Sequence, residues 1–317
     1  MSLRLVLMGS GRFALPTFLS LFESDHEVVG LFTQPDRTGR GHHRHAHPLK
    51  EEAVARGTPV FQPENVNKPD PLTRLRELNA DLCVVAAYGQ ILSEQLIEIP
   101  KFGAINLHAS LLPKFRGAAP VHYAILNGET ETGVTIFQIE PKLDAGPVLS
   151  VVKTPIGPKE TTGELEIRLA ELAAPLTQKI IDQIETGTVE QIPQHLAEVT
   201  RAPRLKKSAG AIDWTRSGVE IERHVRAMQP WPGPFTFLVQ VGRQPTRLIV
   251  LDVQPTDINA SSDPGRIVIA EGQRLIVRTG EGCVEITRLR PEGKREMTAD
   301  EFLRGHRLGP GDHLNAG

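Results

Sequence analysis

Apolar and polar positions divide the first half of the chain into strand-like and helix-like segments that alternate. The strand-like apolar runs are residues 3–8, 27–33, 81–88, 102–107 and 133–139. Apolar residues at helical spacing follow Phe13, Pro48 and Pro71 and also cover residues 120–126 and 161–185. Strands and helices that alternate in this way predict an α/β fold with a doubly wound, Rossmann-like, mostly parallel sheet.

The pattern changes after Gly187. Residues 188–204 combine prolines with little periodicity, which predicts a linker. Residues 219–228 have helical spacing, and short β-rich runs follow at 236–241, 247–253, 265–270, 274–279 and 283–289. Because Gly and Pro separate these runs at close intervals, they predict a small C-terminal antiparallel β-barrel of the OB-like type. We therefore expect a doubly wound domain over 1–187, a linker over 188–204 and a barrel domain over 205–317.

Composition narrows the class of protein. The 317 residues are 39% hydrophobic and 23% charged with a net charge of −2, which excludes a disordered or fibrous chain. No apolar run approaches the roughly 20 residues that cross a bilayer, and the N-terminus shows no targeting segment. The two cysteines, Cys83 and Cys283, are too few for a disulfide framework. We expect a cytoplasmic protein without a membrane partner, and a monomer.

Charge is distributed unevenly between the two halves of the chain. Residues 1–200 hold 18 basic and 24 acidic residues, whereas residues 201–317 hold 18 basic and 14 acidic residues. A basic C-terminal part on an acidic protein favours a partner that carries phosphates.

A glycine-rich turn follows the first strand-like run. Residues 9–14, with the sequence GSGRFA, fit G-x-G-x-x-A at a strand-to-helix turn, and Asp36 lies after the second run. This arrangement resembles the dinucleotide-binding fingerprint, so a nicotinamide-dependent dehydrogenase remains an alternative. The glycines are equally compatible with a tight turn in any doubly wound sheet.

A second set of residues can carry chemistry. Asn106 and His108 lie two positions apart in a strand-like segment and therefore point to the same face of a sheet. Asp144 follows in a loop rich in proline and glycine, and open α/β sheets place ligands outside the carboxyl ends of their strands. An amide, an imidazole and a carboxylate can together bind a carbonyl and move a proton. The alternative is a histidine that only completes the strand end.

These residues lie within segments that carry a family resemblance. INLHASLLPKFRGAAPVHYAI (105–125) and GVTIFQIEPKLDAGPVL (133–149) resemble the signature segments of the 10-formyltetrahydrofolate-dependent formyltransferase superfamily. Residues 206–236 resemble the start of the C-terminal domain of the methionyl-tRNA formyltransferase family. The resemblance therefore covers nearly the whole chain and implies a formyltransferase domain followed by a tRNA-binding barrel.

The resemblance implies a role for several residues. Catalytic positions fall on Asn106, His108 and Asp144, and the segment that borders the folate falls on Ser110, Leu111, Leu112 and Pro113. Positions that contact tRNA fall on Arg40, Lys206 and Lys207. Pro147 stands where the family often has a second acid, so only Asp144 is expected to act as a carboxylate.

The implied reaction moves a formyl group from 10-formyltetrahydrofolate, a co-substrate, to the α-amine of initiator methionyl-tRNA for translation initiation. We expect Asn106 and His108 to hydrogen-bond the oxyanion, and Asp144 to orient the imidazole and help the amine proton to the leaving nitrogen. An amino sugar, glycinamide ribonucleotide or water remains an alternative acceptor. The proposed reaction needs no metal, and we interpret the alternating His43, His45 and His47 as part of a basic loop rather than as metal ligands.

Overall fold

The structure is a computed structural model that describes residues 2–36, 48–309 and 311–316. It contains two compact units, and each unit is assembled from three stretches of the chain. The first unit contains Met1–Pro120, Glu131–Pro155 and Leu165–Pro203. The second contains Val121–Thr130, Ile156–Glu164 and Arg204–Gly317. The domain boundaries inferred from the sequence, at residues 187 and 205, stay a prediction.

The first part of the chain, residues 1–203, has strands and helices that alternate as the sequence predicts. Its strands are β1 (Arg4–Gly9), β2 (Glu27–Phe32), β3 (Val60–Phe61), β4 (Leu82–Ala86), β5 (Ala104–His108), β6 (Arg116–Gly117), β7 (Glu131–Gln138), β8 (Val148–Pro155) and β9 (Arg201–Ala202). Its helices are α1 (Leu15–Phe22), α2 (Pro48–Ala55), α3 (Pro69–Glu77), α4 (Glu94–Ile97), α5 (Pro120–Leu126) and α6 (Thr162–Thr186). The apolar runs at residues 3–8 and 81–88 thus form β1 and β4.

The main sheet of the first unit has the strand order β3-β2-β1-β4-β5-β7-β8. Strands β1 to β5 pair in parallel, whereas β7 and β8 pair antiparallel at one side. The predicted doubly wound, mostly parallel sheet is therefore confirmed. Its strand order reverses between β1 and β4, the place where open α/β sheets form a crevice for ligands.

Burial explains why the central strands are almost wholly apolar. Every residue of β4 is buried, as expected for a strand that is covered on both faces. Gly9 ends β1 where there is no room for a side chain, because a Cβ atom would lie 2.6 Å from the Ala86 carbonyl oxygen. Full burial of an apolar side chain such as Val84 in β4 contributes roughly 1.5–3 kcal/mol, so these strands fix the position of the residues that follow them.

The second unit contains the predicted β-rich region. Its remaining elements are α7 (Gly218–Ala227), β10 (Phe235–Val239), β11 (Thr246–Thr256), β12 (Ile267–Glu271), β13 (Arg274–Arg278), β14 (Cys283–Pro291), β15 (Met297–Thr298), α8 (Ala299–Gly305) and β16 (His313–Asn315). The antiparallel sheet has the order β12-β13-β14-β11-β10-β16, and β15 pairs with β14. A bridge between Arg266 and His313 brings the two ends of this sheet together, which confirms a curled, barrel-like arrangement.

Helix α7 is fixed to the barrel by its cap and by its apolar face. Ser217 accepts a hydrogen bond from the Glu220 amide, and the Glu220 carboxylate accepts one from the Ser217 amide. This capping box satisfies two amides that would otherwise be unpaired at the helix start. Ile221 and Val225 belong to the buried core of the barrel. Across the described parts of both units, no helix is both long enough and apolar enough to span a bilayer.

Two segments differ from the sequence prediction. Residues 148–155 were not predicted as a strand but form β8. The exposed positions of this strand include the apolar Val151, so its polar residues do not mark its exposed face. The segment 188–204, predicted as a linker, contains the 3₁₀ helix Leu196–Glu198 and the strand β9. Strand β9 pairs with β6, a contact between residues about 85 positions apart that local periodicity does not encode.

Two half-buried histidines are expected to make the stability of the second unit depend on pH. Burial lowers the pKa of His122 and of His224 below the ordinary value, although each ring also hydrogen-bonds a backbone carbonyl. An unfolded chain takes up these protons near pH 6.5, whereas the folded chain does so only at lower pH. Below about pH 6.5 the unfolded state therefore binds more protons, and we expect the free energy of unfolding to fall as the pH falls.

This prediction can be measured through tryptophan fluorescence, because both tryptophans of the chain lie in the second unit. Urea unfolding at pH 7.5 and 5.5 should show a smaller pH dependence in the His122→Gln, His224→Gln double variant than in the unmodified protein. His195→Gln, at an exposed position of the first unit, is the control. An unchanged pH dependence in the double variant would contradict the assignment.

Candidate active site

Strand β5 brings Asn106 and His108 to one face of the sheet. Asn106 pairs with Val85 on β4 and with Phe137 on β7, so its backbone is held on both sides. Its side chain is half-buried, and no residue in the described ranges hydrogen-bonds to its amide group. The Asn106 amide is therefore held in place by its strand while its donors stay available to a ligand.

The His108 side chain is buried, and its ring orientation is fixed. Nε2 lies 2.9 Å from the backbone carbonyl oxygen of Phe115. Because a carbonyl oxygen only accepts, the neutral imidazole carries its hydrogen on Nε2 and has its lone pair on Nδ1. Phe115 adopts a positive φ of 61°, which L-residues rarely adopt, and this conformation helps to direct its carbonyl to the ring.

Asp144 lies beside the free nitrogen of this imidazole. Its Oδ2 atom is 3.9 Å from His108 Nδ1 and accepts a 2.8 Å hydrogen bond from the Gly117 amide. The distance to Nδ1 is too long for a hydrogen bond. The structure thus brings His108 and Asp144 together, with Asn106 two residues earlier on the same strand.

Asp144 reaches this position by a route that the sequence argument did not foresee. Strand β7 is antiparallel, and its last residue, Gln138, pairs with Ile105 near the start of β5. The expectation that Asp144 follows a carboxyl end at the same edge as His108 is therefore wrong. The loop after β7 turns back toward His108, and Gly146 lies so close to β7 that a Cβ atom would be 1.8 Å from the Gln138 carbonyl oxygen.

A buried arginine and a glutamine support the Asp144 loop. Arg116 is 2% exposed, and its Nε and Nη2 atoms donate to Gln194 Oε1 at 3.2 and 2.7 Å. Burial lowers the pKa of Arg116, and the neighbouring Arg201 lowers it further, whereas Asp144 acts in the opposite direction. Sequence reasoning missed Gln194, since a single glutamine in a segment without periodicity gives no signal.

The segment predicted to border the folate is rigidly held. The Ser110 hydroxyl donates to the Lys114 carbonyl at 2.7 Å, and Thr135 Oγ1 donates to the Ser110 carbonyl and accepts from the Leu112 amide. Leu112 and Pro113 are buried, so Leu111 is the most exposed of the four predicted residues. The Ser110 hydroxyl is therefore engaged within the loop, and contact with a ligand through this segment remains a prediction.

Comparison with known proteins decides the family. Residues 3–184 match the family described as formyl transferase, and residues 204–307 match formyl transferase, C-terminal domain. The methionyl-tRNA formyltransferase of Citrifermentans bemidjiense is 42% identical over 313 residues, which cover 98% of this chain and 96% of that protein. That of Alkaliphilus oremlandii is 38% identical over 313 residues, with coverage of 98% and 99%. The chain belongs to the methionyl-tRNA formyltransferase family.

Solved structures agree with the fold of this family. The N-formyltransferase of Helicobacter canadensis, solved with folinic acid and dTDP-3-aminofucose, has a TM-score of 0.67 and 18% sequence identity. The similarity covers 90% of this chain and 99% of that chain. At this identity the similarity shows a shared fold and does not decide the acceptor.

The dehydrogenase alternative has no support in this family or at the glycine-rich turn. Asp36, the candidate ribose ligand, binds Lys50 Nζ and the Gln62 amide through its two carboxylate oxygens. The Ser10 hydroxyl in turn hydrogen-bonds Thr33 and the Gln34 amide. Both carboxylate oxygens of this acid are therefore engaged by side chains of the protein itself.

Two of the three tRNA positions that the family resemblance implies, Lys206 and Lys207, lie among the described residues. Lys206 and Lys207 are exposed at the start of the 3₁₀ helix Lys207–Gly210, and no acidic side chain of the described chain pairs with them. Arg40 and the histidines at 42–47 lie outside the described residues. Two exposed, unpaired cations are well suited to phosphate contacts.

The barrel carries a further group of cations that sequence reasoning missed. Arg247, Arg290 and Lys294 line an open cavity of about 340 Å³ together with Glu292. None of the three cations forms an ion pair with a carboxylate in the described residues. The Arg247 guanidinium lies 4.3 Å from the centroid of the Phe235 ring. Arg247 comes from β11, Arg290 from β14 and Lys294 from the turn after β14, so only the fold brings them together.

Proposed function

We propose that the protein transfers the formyl group of 10-formyltetrahydrofolate to the α-amine of initiator methionyl-tRNA and so produces N-formylmethionyl-tRNA for translation initiation. The observation that carries this proposal is the match of both halves of the chain to full-length relatives with that activity in their names. The His108–Asp144 pair, with Asn106 on the same face, supplies groups suited to the chemistry.

Attack on the formyl carbon needs a neutral amine and a stabilised oxyanion. The reference pKa of an α-amine is about 7.7–8.0, and the adjacent ester of methionyl-tRNA lowers it. Enough free amine exists at neutral pH, so no covalent enzyme intermediate is required. When the amine forms its bond to the formyl carbon, the carbonyl oxygen becomes an oxyanion, and the available Asn106 amide donates a hydrogen bond to it.

The proton of the attacking amine passes through His108. The Phe115 carbonyl takes the only N–H of the neutral ring, so we assign the oxyanion to Asn106 and the proton to His108 Nδ1. The imidazolium that forms is stabilised by the Asp144 carboxylate 3.9 Å away. As the bond between the formyl carbon and N10 breaks, Nδ1 returns this proton to N10 and the neutral ring is restored.

The remaining contacts concern the two substrates. In this proposal the segment Ser110, Leu111, Leu112 and Pro113 borders the folate, and Arg40, Lys206 and Lys207 contact tRNA phosphates. The unpaired cations around the barrel cavity support nucleic-acid binding by the second unit. The reaction requires no metal, and we propose that the protein acts as a monomer in the cytoplasm, where its tRNA substrate is used.

The acceptor can be tested directly. The protein is incubated with 10-formyltetrahydrofolate labelled in the formyl group and, in parallel, with methionyl-tRNA, a dTDP-linked amino sugar or glycinamide ribonucleotide. We expect label on methionyl-tRNA and little on the other two acceptors. Preferential transfer to either small acceptor, or release of labelled formate in all samples, would overturn the proposal.

Replacement of Lys206 and Lys207 by alanine is expected to raise the KM for methionyl-tRNA and to leave the KM for the folate unchanged. Loss of two phosphate contacts should reduce the slope of log KM against log salt concentration by about two. Steady-state kinetics between low and physiological salt measures both effects. Lys179→Ala, at an exposed position of α6, is the control. An unchanged salt slope in the double variant would remove these lysines from the tRNA contact.

A further inference from the structure

Gln194 links the Asp144 loop to the buried Arg116. Its Nε2 atom donates to the Asp144 carbonyl at 3.0 Å and to the Gly146 carbonyl at 2.8 Å. Its Oε1 atom accepts two bonds from Arg116. Both hydrogens and both lone pairs of the amide are thus in use, so no other side chain of this size could replace all four bonds.

Thr200, six residues later, holds the loop that orients the imidazole. Its Oγ1 atom accepts a 2.8 Å hydrogen bond from the Phe115 amide, and its carbonyl accepts one from the Arg116 amide. Phe115 is also the residue whose carbonyl accepts from His108 Nε2. The short pairing of β6 with β9 begins at the next residue, Arg201.

Both contacts act on strained backbone. Asp144 and Phe115 have φ angles of +48° and +61°, in the left-handed region that residues with a Cβ rarely adopt. Such conformations persist where surrounding bonds determine them. Gln194 binds the carbonyl of one strained residue, and Thr200 binds the amide of the other. One short segment, residues 194–200, therefore holds both members of the His108–Asp144 pair.

We propose that Gln194 and Thr200 are positioning residues for formyl transfer, which hold the Asp144 carboxylate and the His108 imidazole in register with each other. The inference rests on the proposed function and goes beyond it, because it assigns a role to the segment between the two family matches. Neither side chain contacts the reacting atoms. Gln194 acts through Asp144, and Thr200 acts through Phe115, whose carbonyl orients the His108 ring.

The kinetic test uses Gln194→Ala and Thr200→Val in the full-length protein. A displacement of about 1 Å in a reacting group can cost about 10²-fold, so we expect kcat to fall roughly 10–100-fold with little change in either KM. Thr200→Ser keeps the hydroxyl acceptor and should restore kcat, whereas Gln194→Glu loses both donors and should not. Gln191→Ala, at an exposed position of the same segment, is the control.

A second readout does not depend on the reaction. Nitrogen NMR of the His108 ring reports which nitrogen carries the hydrogen, and the bond to Phe115 places it on Nε2. We expect Thr200→Val to give a mixture of the two ring forms and Thr200→Ser to resemble the unmodified protein. This result would stand even if methionyl-tRNA were not the acceptor.

The outcomes separate positioning from simple structural support. Reduced kcat together with the altered His108 signal, in variants that unfold cooperatively near the original urea concentration, supports the proposal. An unchanged ring signal and unchanged kcat overturn it. A loss of kcat that only parallels loss of folded protein, with an unchanged ring signal in the folded fraction, also overturns it.

Discussion

Replacement of Asn106 by alanine is expected to lower kcat by roughly 10²–10³-fold, the usual cost of one lost oxyanion donor. The backbone of this residue pairs with Val85 and Phe137 and does not depend on the side chain. Its amide has no partner within the described chain, so truncation breaks no internal hydrogen bond. We therefore expect the free energy of unfolding to change by no more than about 1 kcal/mol.

The kinetic form of this loss is as informative as its size. If the Asn106 amide binds the oxyanion only in the transition state, kcat and kcat/KM should fall by the same factor. Asn106→Asp has nearly the same size but no donor, so it should lose at least as much activity. Asn127→Ala, at an exposed position after α5, is the control. A kcat for Asn106→Ala within about tenfold of the original would assign the oxyanion to another group.

Much of the fold could be predicted because apolar periodicity is local. The run at 81–88 became the fully buried β4, and the short β-rich runs after residue 235 became the antiparallel sheet of the second unit. Each pattern depends only on which neighbouring residues are buried, and periodicity records this directly. Strand β8 was missed because its exposed positions are Val151, Lys153 and Pro155, so exposure does not follow polarity along the strand.

The site was predictable in its members but not in its geometry. Asn106 and His108 share a face because of strand geometry alone, which the sequence contains. The approach of Asp144 to His108 depends on the antiparallel direction of β7, on the positive φ of Asp144 and on the close packing of Gly146 against β7. These are tertiary features. The family resemblance identified Asp144 as a site residue, whereas the argument from strand ends placed its loop at the wrong edge of the sheet.

The supporting residues could not be predicted from sequence for a related reason. Gln194 acts because four hydrogen-bonding groups from distant segments surround it, and no local pattern distinguishes it from Gln191, which is exposed. The cations Arg247, Arg290 and Lys294 are likewise ordinary surface residues in sequence. Only the folded barrel places them around one cavity.

Replacement of Asp144 by asparagine separates the charge of this residue from its structural role. Asparagine keeps an oxygen that can accept from the Gly117 amide, and it tolerates a positive φ as well as aspartate does. We therefore expect the Asp144 loop to stay in place and the urea unfolding curve to shift little. Only the negative charge 3.9 Å from His108 Nδ1 is removed.

Without that charge the imidazolium that forms during transfer is no longer stabilised, and kcat should fall by roughly 10²–10⁴-fold, the range for loss of general acid–base catalysis. Steady-state kinetics with both substrates measures the loss, and Asp257→Asn, at an exposed position, is the control. Asp144→Ala should lose stability as well as activity, since it removes the Gly117 bond and leaves alanine in a strained conformation. If Asp144→Asn kept most of its kcat while Asp144→Ala lost it, the carboxylate would serve only to hold the loop.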